Sequence, residues 1–176
     1  MNILPQELYN YKEYLVSTDL FKQIDDLKNK YPDGRGMASV CEDIAIKLLL
    51  EKFGDEIYKP PPRHWFDVCS VNPFLPIDIK ATTTKTYDNT SGILSLLYTF
   101  SHNDIDQNTK NHGGKKEFSE FLEGIKNKNQ KLNIYRDYFY LIINTEKNDI
   151  ILNSIKHLSE VKINKVVNAN VYINGG

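Results

Sequence analysis

Apolar residues recur every three to four positions through the first 53 residues, a spacing that predicts amphipathic helices. Residues 5–30 carry two such stretches, and Ser17-Thr18-Asp19 between them predicts a break with a helix cap. Residues 37–53 have the most regular stripe, and Gly54 directly after it predicts the helix C-terminus. The chain therefore begins with helices that each bury one face.

Short apolar segments separated by turn residues predict strands in the rest of the chain. Residues 57–64 open as an edge strand, which Pro60-Pro61-Pro62 ends. Residues 66–70 and 77–82, joined by a proline-bounded turn, predict a β-hairpin. The apolar run 92–100 fits the period of a helix as well as that of a strand, and we interpret it as a strand. Further strands are predicted at 138–143, 149–152 and 171–173, helices at 115–130 and 155–160, and a polar loop at 101–114.

This order of helices, hairpin, helix and strands predicts an α/β fold, with a mixed central sheet flanked by helices. A length of 176 residues suits a single domain. The composition, 40% hydrophobic and 26% charged, is typical of a soluble globular protein. No apolar run approaches the roughly 18–20 residues of a membrane span, so no membrane association is expected.

The N-terminus and the cysteines favour a cytoplasmic protein. Residues 1–8 lack the basic segment and apolar core of a secretory signal. The two cysteines, Cys41 and Cys69, lie within apolar patterns, as expected of buried free thiols in a reducing compartment. Their spacing is not that of a zinc site.

The distribution of charge is more informative than its sum. A formal net charge of −1 argues weakly against a nucleic-acid-binding protein. Between Lys110 and Lys131, however, the chain carries six lysines against three glutamates. Carboxylates that hold a metal would also add negative charge, which lowers the net charge even where basic residues are clustered.

The hairpin carries the candidate chemistry. Because alternate residues of a strand share a face, Asp78 and Lys80 are expected to project together while Ile77 and Ile79 face the core. With Asp67 on the neighbouring strand, two carboxylates and the Ile79 carbonyl would suit Mg²⁺. Lys80 would then face a scissile phosphate, to stabilise negative charge or to help deprotonate the attacking water. A solvated strand face is the alternative explanation of the triplet alone.

The segment from Asp67 to Ile77-Asp78-Ile79-Lys80-Ala81-Thr82 resembles the PD-(D/E)xK nuclease motif, and its local sequence is similar to type II restriction endonucleases. The similarity covers roughly residues 37–176. Two features depart from it: Phe66 stands where the motif has proline, and the region 101–131 is longer. The supporting segments are Tyr98-Thr99-Phe100, Asn108-Thr109-Lys110-Asn111, Tyr140-Leu141-Ile142-Ile143 and Val171-Tyr172-Ile173-Asn174-Gly175.

The resemblance implies a restriction-endonuclease-like core in residues 37–176, preceded by a helical dimerisation part in residues 1–36. It implies an Mg²⁺-dependent deoxyribonuclease of a restriction–modification system that cuts double-stranded DNA at a short sequence. The catalytic set would be Asp67, Asp78, Lys80 and Glu42, with metal held by Asp67, Asp78 and Ile79, and DNA contacted by Arg63, His64, Thr82, Lys110 and Asn174. For Glu42, Lys110, His64 and Asn174, an ordinary surface role is the open alternative.

The same resemblance bears on assembly and on recognition of the DNA sequence. Cutting both strands favours a symmetric homodimer, and helix 5–30 is a candidate interface because it is rich in Tyr and Leu (Leu8, Tyr9, Tyr11, Tyr14, Leu15). The family's major-groove recognition loop would begin near Gly176. We therefore expect either that recognition lies elsewhere or that the recognition element extends beyond these residues.

Three other functions remain to be weighed. A structure-selective or repair nuclease would carry the same motif, and a non-cleaving DNA-binding module would have no need of paired acids. Gly34-Arg35-Gly36 before a helix resembles a phosphate cradle, but it lacks the length and the lysine of a P-loop.

Overall fold

The computed structural model describes residues 4–28, 34–62, 64–82, 89–90, 93–100, 136–157, 161–167 and 170–175. The helices are α1 (Gln6–Ser17), α2 (Leu20–Lys28), α3 (Gly34–Phe53) and α4 (Ile93–Phe100), with 3-10 turns at Gly54–Glu56 and Ile155–His157. The strands are β1 (Ile57–Tyr58), β2 (Val68–Ser70), β3 (Leu75–Thr82), β4 (Asn89–Thr90), β5 (Phe139–Asn144), β6 (Asp149–Ser154), β7 (Val161–Val167) and β8 (Asn170–Gly175).

The chain divides into two compact units, each built from separated segments. Unit 1 contains Met1–Pro62, Phe66–Thr86 and Phe139–Ser154, and unit 2 contains Arg63–Trp65, Tyr87–Tyr138 and Ile155–Gly176. The helices of residues 1–36 thus belong to the same unit as the candidate catalytic hairpin.

Unit 1 is built around a five-stranded mixed sheet in the order β1-β2-β3-β5-β6. β3 and β5 are parallel, whereas the other neighbouring pairs are antiparallel. In the parallel pair Asp78 lies opposite Tyr140, and Lys80 lies opposite Ile142. α3 packs against β3, and α1 packs against β6. The prediction of a mixed sheet flanked by helices is therefore confirmed.

The core of unit 1 is formed by β3 and β5 together with the inner faces of the helices. β5 is apolar from Phe139 to Ile143, as expected of a strand that is covered on both faces. Ile77, Ile79, Leu141 and Ile143 are fully buried, as are residues on the inner faces of the helices. Gly54, at φ +49°, ends α3 in the left-handed conformation that glycine adopts without strain, as predicted.

The apolar face of α1 is used within unit 1. Leu8, Tyr11 and Leu15 are buried, and the rings of Tyr11 and Tyr14 pack edge-on against Phe53 at centroid distances of 4.8 and 5.6 Å. The break after Ser17 is confirmed, with the Thr18 hydroxyl donating to the Leu15 carbonyl at 2.7 Å. Because these residues face their own core, they no longer favour a dimer interface on this helix.

Truncating Ile143 to alanine is expected to destabilise the protein by roughly 2–5 kcal/mol, because this β5 side chain is fully buried in the core of unit 1. Ile151→Ala is the matched control on the adjacent strand β6. Its side chain is 43% exposed, so its effect should stay within about 0.5 kcal/mol. Urea unfolding of both variants measures the difference, and equal losses would contradict the assigned core.

Unit 2 contains a second, three-stranded antiparallel sheet in the order β4-β8-β7. The interpretation of residues 92–100 as a strand is wrong, since residues 93–100 form α4. An octet that is apolar except for Ser95 and Thr99 has no clear period of two or 3.6, and neighbouring packing decides its conformation. Strand β7 was not predicted, although Val161-Lys162-Ile163 alternates. The final strand is confirmed as β8.

Other predictions concern the remaining parts of the chain. The loop at 101–114 and the helix at 115–130 lie outside the described residues. The short helix expected at 155–160 is a 3-10 turn over Ile155–His157. In the part of the chain that the structure describes, no helix is long and apolar enough to cross a membrane.

Candidate active site

β3 extends past the end of its neighbour β2. Along the rest of that edge, side chains instead of a strand can bind the backbone groups of β3. The backbone N–H of Asp67 donates to the Ile77 carbonyl at 3.0 Å, just before β2 begins at Val68. Beyond that point β3 continues from Asp78 to Thr82. The backbone groups of Ile79 and Ala81 point to the same side as those of Ile77, because strand residues alternate.

Two carboxylates occupy this edge. Asp67 Oδ2 accepts the N–H of Ile79 at 2.8 Å, and Glu42 Oε1, from α3, accepts the N–H of Ala81 at 3.2 Å. Since the N–H and C=O of one strand residue point to the same side, the Ile79 carbonyl belongs to this edge as well. Asp67 and Glu42 thus continue the hydrogen-bond ladder where β2 has stopped.

Asp78 and Lys80 lie beside each other, as strand alternation predicts. Lys80 Nζ is 3.0 Å from Asp78 Oδ1, and the two side chains are 24% and 11% exposed. The intervening Ile79 is fully buried. A nearly buried ion pair of this kind requires good geometry to offset the loss of hydration, so its placement is a specific property of the fold.

Burial and neighbouring charges shift both ionisation equilibria. The pKa of Asp78 is raised to about 8: burial is the largest cause, the Lys80 ammonium opposes it, and the neighbouring Asp67 adds to the rise. For Lys80, burial lowers the pKa, but the carboxylates of Asp78, Asp67 and Glu42 outweigh it, so the net direction is upward. The pKa of Asp78 and the pKa of Lys80 are therefore both raised, and each of these two groups holds its proton more tightly than it would in water.

This donor set fits a hard divalent cation. The charge of Asp67 raises the pKa of Asp78, so the two carboxylates repel when both are ionised, and a bound cation would offset that repulsion. Mg²⁺ characteristically takes one or two carboxylates and completes its shell with water and substrate phosphate. Among the described residues, no group of three or more His, Cys, Asp or Glu is arranged to hold a metal. The ligands predicted from the sequence, Asp67, Asp78 and the Ile79 carbonyl, include only two carboxyl groups, and water and phosphate oxygens would complete the shell.

The residues predicted to contact DNA lie on different elements of the structure. Thr82 ends β3 half-buried, and its carbonyl accepts the N–H of Thr145 at 3.0 Å. His64 lies in unit 2, where burial lowers its pKa. Asn174 is a residue of β8, paired with Asn89 and Lys162. Arg63 and Lys110 lie outside the described residues.

Sequence reasoning missed a group of aromatic residues in unit 2. Trp65, Tyr98 and Tyr138 come from three separate segments, and their rings lie close together in the structure. No local pattern links positions so far apart. The sequence shows only that each position is a large aromatic: Trp65 directly precedes a predicted strand, and Tyr98 and Tyr138 lie within predicted strands.

The comparisons with known proteins identify no relative of this chain. No family model, no curated protein and no solved structure matches it.

Proposed function

We propose that this chain is an Mg²⁺-dependent endodeoxyribonuclease that hydrolyses phosphodiester bonds in double-stranded DNA at a short specific sequence. The observation that carries this proposal is the arrangement at β3: Asp67 Oδ2 accepts the N–H of Ile79 at 2.8 Å, and Lys80 Nζ lies 3.0 Å from Asp78 Oδ1. Phosphodiester hydrolysis needs an activated water and neutralisation of charge in the transition state. A PD-(D/E)xK centre of the restriction-endonuclease type would supply both.

Each residue then has a distinct task. Asp67 and Asp78 would hold the metal with the Ile79 carbonyl, and bound Mg²⁺ supplies Lewis acidity and a more acidic water. Lys80, kept as an ammonium by three carboxylates, is suited to stabilise charge on the scissile phosphate rather than to accept a proton. Glu42 holds the N–H of Ala81 and so positions the end of β3.

The proposal extends to assembly and location. Cutting both strands of a duplex favours a homodimer with one site for each strand. Cys41 and Cys69 are both buried and are not joined in a disulfide, as expected of a protein kept in the reducing cytoplasm. Sedimentation in the presence of duplex DNA would test the dimer, and a monomer under all conditions would exclude it.

Digestion of a mapped supercoiled plasmid tests the activity. With Mg²⁺ we expect discrete fragments whose sequenced ends share one short motif, and with EDTA we expect intact plasmid. Cutting only at branches or free ends would favour a structure-selective repair nuclease. Binding without any cutting would favour a non-cleaving module and would contradict the proposal.

A further inference from the structure

Four rings and a guanidinium group meet in unit 2. We call His64, Trp65, Tyr98, Arg136 and Tyr138 the aromatic cluster. The Trp65 ring lies 5.0 Å from Tyr98 and 5.9 Å from Tyr138 between centroids, the latter pair being stacked with planes 28° apart. The Arg136 guanidinium carbon lies 5.3 Å from the Tyr98 centroid, and His64 lies 6.0 Å from Trp65.

The base of the cluster is held in place by hydrogen bonds. The Tyr138 hydroxyl donates to the Trp65 carbonyl at 2.9 Å, and the Tyr138 carbonyl accepts the N–H of Ile155 at 2.9 Å. Tyr138 is only 3% exposed. The stacked Trp65 therefore rests on a buried ring whose own position is set by two contacts with the backbone.

The rim of the cluster differs from a closed aromatic core. His64, Trp65, Tyr98 and Arg136 are all half-buried, so each presents part of its surface to solvent. The partly exposed rings of Trp65 and Tyr98 present apolar area on which a further flat ring can stack. The Arg136 guanidinium over the Tyr98 face adds a cation–π contact and places a cationic group beside these rings.

That combination matches the chemistry of an unpaired nucleobase. Proteins bind single strands by stacking bases on aromatic side chains, with arginine beside the rings and near the phosphates. His64, whose pKa burial lowers, adds a neutral ring at neutral pH. A fully paired duplex conceals its base faces within the stack, so it would offer this site little.

We propose that the aromatic cluster is a stacking site for an unpaired nucleobase of a nucleic-acid strand. The choice of nucleic acid as the ligand rests on the proposed function. The unpaired base comes either from a free single strand or from a base displaced out of a duplex.

Trp65 is the protein's single tryptophan, so its fluorescence reports on the cluster directly. The wild-type protein is titrated in EDTA with four oligonucleotides of equal length: a single strand, a duplex with one bulged base, a paired duplex and an abasic strand. We expect quenching by the single strand. Quenching by the bulged duplex as well identifies displaced bases as a source, and its absence leaves free strands. An abasic strand that quenches equally, or no quenching by any base, overturns the proposal.

A variant series measures the contribution of the rings with a fluorescently labelled single strand. Trp65→Ala should weaken binding roughly 5- to 150-fold, the usual effect of losing one base-stacking ring. Trp65→Phe, which keeps a ring, should recover most of the affinity. Arg136→Gln is compared with Lys147→Gln, which removes one positive charge from an exposed turn of unit 1. Equal losses in that pair would indicate simple charge attraction and would contradict the stacking site.

Plasmid cleavage by the same preparation separates this proposal from the nuclease proposal. Cleavage with Mg²⁺ but no base-dependent quenching rejects the stacking site and keeps the nuclease. Quenching by unpaired bases without cleavage keeps the stacking site and rejects the nuclease. Circular dichroism of each variant establishes that a loss of binding is not a loss of fold.

Discussion

Asp78→Asn is expected to abolish DNA cleavage while the protein remains folded. Asparagine keeps the volume of the side chain but removes the carboxylate that lies 3.0 Å from Lys80 Nζ. That carboxylate would also bind Mg²⁺ together with Asp67. Removing one electrostatic group of a hydrolytic site costs roughly 10²–10³-fold in rate, and loss of a metal ligand adds to this. Initial rates of plasmid nicking give the measurement.

Asp149→Asn is the matched control for that experiment. Asp149 lies on β6 of the same sheet and pairs with Lys12 at 3.2 Å, but its side chain is 53% exposed. An exposed pair of this kind contributes about 0–1 kcal/mol to stability, so cleavage should be unchanged. Lys80→Met should be as inactive as Asp78→Asn. Retained cutting by either variant would overturn the assigned centre.

Glu42→Ala is expected to lower cleavage on the order of 10²-fold, whereas Glu42→Gln should keep most of it. Glu42 Oε1 accepts the N–H of Ala81 at 3.2 Å, and a glutamine oxygen can accept the same bond. Alanine leaves the N–H of Ala81 without this acceptor. Because Ala81 directly follows Lys80, the end of β3 that carries Lys80 is then held less firmly. A displacement of about 1 Å at a catalytic group is sufficient for a loss of this size.

The two Glu42 variants separate positioning from direct chemistry. If the charge of Glu42 bound metal or substrate, glutamine would fail as alanine does, and the Mg²⁺ dependence of the rate would shift. Positioning instead predicts a loss in kcat that glutamine restores. Glu51→Ala is the control, because Glu51 lies on the same helix but pairs with Lys47 on the exposed face.

Local periodicity was sufficient to predict the inner side of the candidate site. Ile77 and Ile79 alternate with Asp78 and Lys80, and the structure buries the first pair and joins the second. The alternation is a property of extended backbone, so residues that are two positions apart lie on the same face of any strand. The same argument located α1, α2 and α3, whose apolar stripes require a 3.6-residue period.

Periodicity failed where it carried no signal. Residues 93–100 contain too few polar positions to distinguish a helix from a strand, and their packing in unit 2 selects the helix. The apolar face of α1 was visible in the sequence, but its partner was not. A pattern shows that Leu8, Tyr11 and Leu15 need burial, and only the fold shows that Phe53 lies among the contacts.

The sequence by itself determined which residues of β3 face the core and which carry charge, because that alternation follows from the backbone. The tertiary structure alone decided what meets them. Asp67 and Glu42 reach the N–H groups of β3 from 12 and 39 residues away. β5 joins β3 in parallel across the intervening segments. Such pairings depend on which buried faces fit together in three dimensions, and no local period records that choice.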